Sequence, residues 1–186
     1  DNFFKKSISN KRNDICFVSK SLNALQNPLM GSINYTLKLL AKYVKENKKT
    51  ILIAAKTKYN FRQEKMYKDI FFEANYKIIW ADKKYNSYRA IYNSNIVIGL
   101  PSTLLREAFI YKKKILCCEQ NQNSTKHHPF IGLNYINNFS YSDFEERLNQ
   151  LFSINKENYH NELEKFEDYY MSSINTVEYL KNYSKK

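Results

Sequence analysis

The chain has 186 residues, 43% of them hydrophobic and 16% aromatic, which suits one domain with a core and excludes wholesale disorder. Its formal net charge is +12. No apolar run approaches the ~20 residues of a membrane span, and the N-terminus shows no signal-peptide core, so a cytoplasmic protein is expected. The charge is spread in short clusters such as Lys112-Lys113-Lys114, a pattern typical of an AT-biased composition and a weak indication of nucleic-acid binding.

The three cysteines are predicted to be structural. Cys16, Cys117 and Cys118 form no C-x-x-C pair, and each falls in an apolar run. An odd number without metal-ligand spacing fits a reducing compartment. We therefore expect buried, unreactive thiols.

Short apolar runs alternate with segments of helical period, which predicts β-α-β units and a mostly parallel sheet. The predicted strands are residues 15–18, 51–55, 78–80, 96–98 and 115–118. Each run is nearly continuous, as expected for strands that are covered on both faces.

Helical spacing fills the intervals between these runs. Ser32 is predicted to cap the first helix, whose apolar face includes Ile33, Leu37 and Val44. The remaining predicted helices are residues 66–74, 85–92, 103–110, 141–152, 157–171 and 177–183. The predicted fold class is thus α/β: a single Rossmann-like domain, an open sheet of about five to six strands, and C-terminal helices. The predicted organisation is a loose segment 1–13, a Rossmann-like domain 14–140 and packed helices 141–186.

The few glycines and prolines fall into three pairs, Pro28 with Gly31, Gly99 with Pro101, and Pro129 with Gly132. The first two pairs follow strands one and four. In open α/β sheets, ligands bind outside the carboxyl ends of the strands, where the strand order reverses. Two of the three pairs therefore fall where a ligand is expected.

The window after strand four carries the strongest candidate site. Gly99 allows a sharp turn or a close approach to a ligand, and Pro101 fixes the entry into the next helix. Ser102 is a good N-cap, and Thr103 takes the first helical position. A helix N-terminus with two hydroxyls suits a phosphate or a carboxylate.

Glu107 lies one turn into the same helix, on the face of Thr103, where its carboxylate could accept hydrogen bonds from ribose hydroxyls. A purely structural alternative stays open. In it Ser102 only caps the helix, and Glu107 offsets the dipole or pairs with Arg106 or a lysine. Arg106 belongs to the candidate set without an assigned role.

Several well-known sites are excluded by spacing. The glycines cannot supply G-x-G-x-x-G or a P-loop, and G-x-S-x-G is missing. His127 and His128 are adjacent and there is no D-x-D, so no metal site and no cofactor are expected.

The sequence has, in order, a strand, Gly99, the P-S-T-L-L-R-E-A helix and Lys114-Ile115-Leu116-Cys117-Cys118. This order resembles the C-terminal donor domain of GT-B glycosyltransferases. More closely, it is similar to bacterial surface-carbohydrate biosynthesis proteins that serve capsule or lipopolysaccharide. The resemblance covers roughly residues 14–180 and is strongest over 88–148. It implies a metal-independent transferase whose nucleotide-sugar donor is a substrate rather than a cofactor.

The resemblance also implies roles for individual residues. Ser102 and Thr103 would hold the donor phosphate, Glu107 would contact ribose or sugar hydroxyls, and Gly99 would allow close approach. Lys20 and Lys56, after strands one and two, would neutralise phosphate, although a solvated surface charge is an equally good interpretation of each.

Other parts of such an enzyme are not visible in the sequence. The acceptor, a glycan or a lipid-linked glycan, would be bound by a second, N-terminal domain that also supplies the catalytic base, so no catalytic residue is assigned. Peripheral association with the inner face of the membrane is compatible with this function. Some GT-B sialyltransferases carry a nucleotide-binding His-Pro pair before a Ser pair. Here His128-Pro129 follows Ser102-Thr103, so His128 is kept only as a candidate at the nucleotide rim.

Two competing functions remain open. One is a non-enzymatic Rossmann-like module whose basic surface contacts nucleic acid or an anionic partner, with tyrosines that stack on bases. Against it, tyrosines such as Tyr67 stand at helical spacing beside apolar residues such as Phe71, where core packing is the better interpretation. The other is a sugar-nucleotide epimerase of the same fold.

Overall fold

The fold is built on parallel strands, seen in a computed structural model that describes residues 13–21, 31–82, 86–120 and 132–164. The described strands are β1 (Asn13–Val18), β2 (Thr50–Ala54), β3 (Asn75–Ile79), β4 (Ser94–Gly99), β5 (Lys114–Glu119) and β6 (Tyr135–Asn137). They form one sheet in the order β3-β2-β1-β4-β5-β6, and every neighbouring pair is parallel. The predicted Rossmann-like α/β fold is confirmed.

Helices connect the strands and cover both faces of the sheet. The described helices are α1 (Gly31–Glu46), α2 (Phe61–Ile70), α3 (Asn86–Tyr92), α4 (Thr103–Ile110), α5 (Tyr141–Ser153) and α6 (Lys156–Glu164). A 3-10 turn at Gly132–Asn134 leads into β6. No helix of the described ranges is long and apolar enough to cross a membrane.

The core lies in two layers because alternate residues of β1 point to opposite faces of the sheet. Ile15 and Phe17 pack with α1, α2 and α5, whereas Cys16 and Val18 pack with α3 and α4. All three cysteines are fully buried and free, as predicted. Burial in this apolar layer raises the pKa of the Cys16 thiol to about 12, so it stays protonated and unreactive.

The structure differs from the sequence prediction at several boundaries. Helix α2 begins at Phe61 and ends at Ile70, so the predicted segment 66–74 ran into the turn before β3. Helix α1 begins at Gly31, which puts Ser32 inside the first turn and makes the predicted cap wrong. The strands do not stop at β5, because β6 adds one more. The loose segment 1–13, except for its last residue, and the helices predicted beyond residue 164 lie outside the described residues.

Two lysines at the start of β5 hold neighbouring backbone carbonyls. The Lys113 ammonium donates hydrogen bonds to the carbonyl of Tyr92 (2.7 Å), the last residue of α3, and to that of Ser94 (2.9 Å), the first residue of β4. The Lys114 ammonium donates to the carbonyls of Leu151 (2.8 Å) and Ile154, at the end of α5. The last carbonyls of a helix have no partner within the helix, and lysines can satisfy them. This pair therefore closes two helices at the amino edge of the sheet.

One buried hydroxyl joins the C-terminal helices to the sheet. The Tyr159 side chain of α6 is fully buried, accepts a hydrogen bond from the Ile115 N–H (2.9 Å) and bonds to the Asn134 side chain. Asn134 is itself fully buried. The hydroxyl therefore satisfies a donor at the start of β5 and an acceptor in the 3-10 turn.

Removing this hydroxyl tests how much it stabilises the fold. Tyr159→Phe leaves a buried N–H and a buried amide oxygen without this partner, and we expect the free energy of unfolding to fall by about 1–3 kcal/mol. Chemical denaturation measures the change. The matched control is Tyr59→Phe, which makes the same chemical change at an exposed tyrosine bonded to Glu64. Equal stability losses in the two variants would contradict the anchoring role of Tyr159.

Candidate functional site

The candidate site lies at the carboxyl edge of the sheet, where the chain leaves β1, β2 and β4. Strand β1 pairs with β2 on one side and with β4 on the other. The chain leaving β1 returns through β2, whereas the chain leaving β4 returns through β5, so the loops diverge and leave a crevice between them. The structure thus brings the segments that carry Lys20, Lys56 and Ser102 to one edge.

Gly99 is the last residue of β4 and allows this strand to lie close to β1. It pairs with Val18 in the β1–β4 register, and a Cβ on Gly99 would stand 3.3 Å from both the Cβ and the carbonyl oxygen of Val18. Among the described glycines only Gly132 has a positive φ, at 65°, so the sharp turn expected at Gly99 is not made through a left-handed backbone. The close approach that Gly99 permits is first of all an approach of β1 to β4.

The turn after β4 presents the start of α4 to the crevice. Ser102 is the N-cap, with extended backbone (φ −159°, ψ 155°), and its hydroxyl accepts a hydrogen bond from the Leu105 N–H at 3.2 Å. The predicted cap is thus confirmed. Thr103 follows at the first helical position and is exposed. A helix start of this kind favours an anion because its N–H groups and its dipole present positive charge.

Lys20 connects the end of β1 to the turn after β4. Its ammonium donates a hydrogen bond of 2.9 Å to the carbonyl of Pro101, immediately before the cap of α4. The side chain is partly buried, and burial lowers its pKa from the usual lysine value, with the charge of Lys56 acting in the same direction. The ammonium is therefore held beside the helix start, with a second cation near it.

Arg106 and Lys20 both act on the same thiol. Burial raises the pKa of Cys117 on β5, and the charges of Lys20 and Arg106 oppose that rise. Arg106 itself is exposed on α4. The charges of Lys20 and Arg106 thus both lower the pKa of Cys117, and the charge of Lys56 lowers the pKa of Lys20.

Glu107 is held in place by a tyrosine from another helix. The Tyr88 hydroxyl on α3 donates a hydrogen bond of 2.7 Å to one carboxylate oxygen of Glu107. The described partner of the Glu107 carboxylate is thus Tyr88, and not Arg106 or a lysine as in the structural alternative. Glu107 is partly buried at the side of α4.

A buried polar network behind the site was missed by the sequence analysis. Gln63 is fully buried and donates to the Lys20 carbonyl (3.2 Å) and to the Tyr67 hydroxyl (3.1 Å). The Ser19 hydroxyl donates to the same Lys20 carbonyl and bonds to the Tyr67 hydroxyl. The Gln63 amide oxygen accepts from Thr57 at 2.9 Å. Because the loops after β1 and β2 share these bonds, the backbone of Lys20 is held on α2.

One candidate residue has no structural account. His128 lies outside the described residues. Within the ranges that are described, no three His, Cys, Asp or Glu side chains are grouped so that they could hold a metal ion. The site is thus defined there by cations, hydroxyls and one carboxylate.

Comparison with known families decides the broad identity of the chain. A family model described as a "putative O-antigen biosynthesis protein" matches residues 2–130, well over half of the chain. The chain belongs to this family. This membership is consistent with the resemblance to surface-carbohydrate biosynthesis proteins at the turn after β4. No curated protein and no solved structure matches the chain.

The charge relation between Lys56 and Lys20 in this O-antigen biosynthesis family member can be tested directly. Lys56→Gln removes a like charge that disfavours the ammonium form of Lys20, so the pKa of Lys20 is expected to rise. A ¹³C-detected NMR titration of the lysine side chains measures it. The control Lys58→Gln removes an exposed charge two residues away and is expected to leave the pKa of Lys20 unchanged. An unshifted pKa in Lys56→Gln would show that the two ammonium groups do not interact.

Proposed function

We propose that this protein binds the nucleotide-sugar donor of a glycosyltransferase in surface-polysaccharide biosynthesis, at the carboxyl edge of its sheet. The observation that carries the proposal is the hydrogen bond from Lys20 to the Pro101 carbonyl. That bond places a cation directly beside the start of α4, at the point where the strand order reverses. Membership in an O-antigen biosynthesis family supports a sugar substrate.

The donor phosphates would lie between the start of α4 and the two lysines. Within the described part of the chain, neither Lys20 nor Lys56 forms an ion pair with a carboxylate, so their charges are not compensated there. The Thr103 hydroxyl is exposed at the helix start, and the Ser102 hydroxyl keeps a proton to donate while its oxygen caps the helix. Charge-assisted hydrogen bonds of this kind contribute roughly 1.5–3 kcal/mol each.

Hydroxyl groups of the donor would meet the side of α4. One oxygen of Glu107 accepts from Tyr88, and no described hydrogen bond uses the other oxygen. Ionised carboxylates accept hydrogen bonds only, and ribose and hexose rings offer hydroxyl donors. Tyr88 limits the rotation of the carboxylate and so presents its second oxygen in one direction. Glu107 would therefore orient the sugar or the ribose next to the phosphate site.

The same cations would act on the chemical step. Transfer of a sugar leaves negative charge on the departing phosphate, and cations that are already in place stabilise this charge without moving. Lys20 is held by the Pro101 carbonyl, and its own carbonyl is held by Gln63 and Ser19. The acceptor hydroxyl also needs a general base. No described residue is assigned that role.

The burial of four aromatic side chains weakens one argument for the nucleic-acid alternative. Tyr67 and Phe71 are fully buried, and so are Tyr43 and Tyr159. These tyrosines cannot stack on bases. Lys113 and Lys114 bond to backbone carbonyls, so part of the basic character of the sequence is explained by the fold without a nucleic-acid partner.

Titration of the chain with UDP, GDP, CMP and a CMP-sugar by calorimetry tests the proposal. We expect one of them to bind saturably, and we expect Thr103→Val combined with Lys20→Met to weaken it by about tenfold or more, because two phosphate contacts are lost. Ser102→Ala is expected to weaken binding too, and to lower the free energy of unfolding by about 0.5–2 kcal/mol through loss of the cap.

The matched control for the cap is Ser140→Ala. Ser140 caps α5, and its hydroxyl accepts from the Asp143 N–H, so this variant also loses a helix cap. It is expected to lose comparable stability and to keep full nucleotide affinity. Absence of binding by every nucleotide to the folded chain would overturn the proposal, as would equal affinity losses in the Ser102 and Ser140 variants.

A further inference from the structure

A cavity at the amino edge of the sheet combines four lysines with aromatic side chains. It lies where β4 and β5 begin and is lined, among others, by Lys112, Lys113, Lys114, Lys156 and Phe152. Among the residues that the structure describes, no Asp or Glu lines it. Lys49, just before β2, extends the basic character, because its ammonium lies 4.5 Å from the centre of the Phe152 ring.

The positive charge of this cavity exceeds what its surroundings offset. Lys112, Lys114 and Lys156 form no ion pair within the described ranges, since the bridges seen there involve Lys42 and Lys45. Three helices, α3, α4 and α5, end at this edge, and each C-terminus carries roughly half a negative charge. Together these ends offer about −1.5 against the three ammonium groups of Lys112, Lys114 and Lys156, so a net positive field remains.

Two of the lysines are held by the backbone. The Lys114 ammonium uses two of its three donors on the carbonyls of Leu151 and Ile154. Its third donor has no described partner. Lys113 is held by the carbonyls of Tyr92 and Ser94. Such ammonium groups need little reordering when an anion arrives, which favours binding.

The other two lysines are exposed at the rim. Lys112 has a left-handed backbone (φ 57°) in the turn that ends α4, where the Lys113 N–H bonds to the Ala108 carbonyl at 3.0 Å. Lys156 is the first residue of α6, and Asn155 accepts a hydrogen bond from the Asn158 N–H at 2.8 Å. Both side chains therefore start from ordered backbone and can close over a ligand.

We propose that this cavity is a second anion site, which binds a phosphate group of a soluble ligand or of a lipid headgroup. Phosphate matches the site because its several oxygens can accept from more than one ammonium at a time. The site is separate from the donor site, since the six residues of β4 span roughly 20 Å between the two edges of the sheet. The inference does not depend on donor binding at the carboxyl edge.

Calorimetric titration of the full chain with sodium pyrophosphate, at constant ionic strength, tests the site. The informative variant is Lys112→Gln with Lys156→Gln, which removes the exposed cations and leaves the helix-closing lysines in place. We expect its affinity for pyrophosphate to fall about tenfold or more. The matched control is Lys38→Gln with Lys68→Gln, which removes two exposed lysines that do not line the cavity and is expected to change the affinity less than about threefold.

Two further arms identify the source of the phosphate and isolate the site. The titration is repeated in the Thr103→Val and Lys20→Met background, where pyrophosphate binding at the carboxyl edge is weakened and the amino-edge signal is expected to persist. Flotation with phosphatidylglycerol vesicles, and with phosphatidylcholine vesicles as the neutral control, tests the headgroup. Recruitment by phosphatidylglycerol that needs Lys112 and Lys156 assigns a lipid. Saturable pyrophosphate binding without recruitment assigns a soluble ligand.

The proposal is overturned by either of two results. One is the absence of both saturable pyrophosphate binding and phosphatidylglycerol-specific recruitment in the folded chain. The other is an equal loss in the Lys112/Lys156 variant and the Lys38/Lys68 control, because binding would then follow net charge and not this cavity.

Discussion

The parallel pairing of β1 with β4 is the constraint on which the rest of the molecule depends. It favours a residue without a side chain at Gly99, since a Cβ there would stand 3.3 Å from Val18, which is a tight contact. The connection after β1 leads to β2 on one side, and the connection after β4 leads to β5 on the other side, which opens the crevice at the carboxyl edge. Lys20 can then reach across from β1 to the Pro101 carbonyl. The order of the strands thus determines which residues meet at this edge.

The two edges of the sheet use lysine in different ways because helices present opposite ends to them. At the carboxyl edge, α4 begins, and one lysine bonds to a single carbonyl beside the helix start. At the amino edge, helices end, and Lys113 and Lys114 each bond to two carbonyls there. A single short helix, α4, carries the chain from one basic region to the other. Part of the excess positive charge therefore belongs to the fold itself.

The sequence predicted the strands well because parallel strands are buried on both faces and show as continuous apolar runs. It also predicted the cap at Ser102, which depends on residues within one turn. It missed β6, which has only three residues and one buried side chain. The start of α2 differs from the prediction because a local cap at Asn60 decides where that helix begins.

The contacts that organise the candidate site are remote in sequence, and for that reason local pattern could not reveal them. Lys20 and Pro101 are 81 residues apart, and Ser19 and Tyr67 are 48 apart. Helical spacing correctly assigned Tyr67 to the core, but it said nothing of its hydroxyl or of the buried Gln63. Glu107 was placed on the correct helix, and its partner Tyr88 comes from a different one.

The position of β4 beside β1 also has a consequence for the order in which the chain can fold. β1 precedes β4 by roughly 80 residues, and β2 and β3 are synthesised between them. At about 5–20 residues per second, the nascent chain waits on the order of ten seconds before β4 exists. During that interval one edge of β1, with Ile15 and Phe17, lacks the partner strand that finally covers it. In a ribosome-bound intermediate of this protein, the backbone groups of β1 that later pair with β4 thus lack their strand partner until β4 is complete.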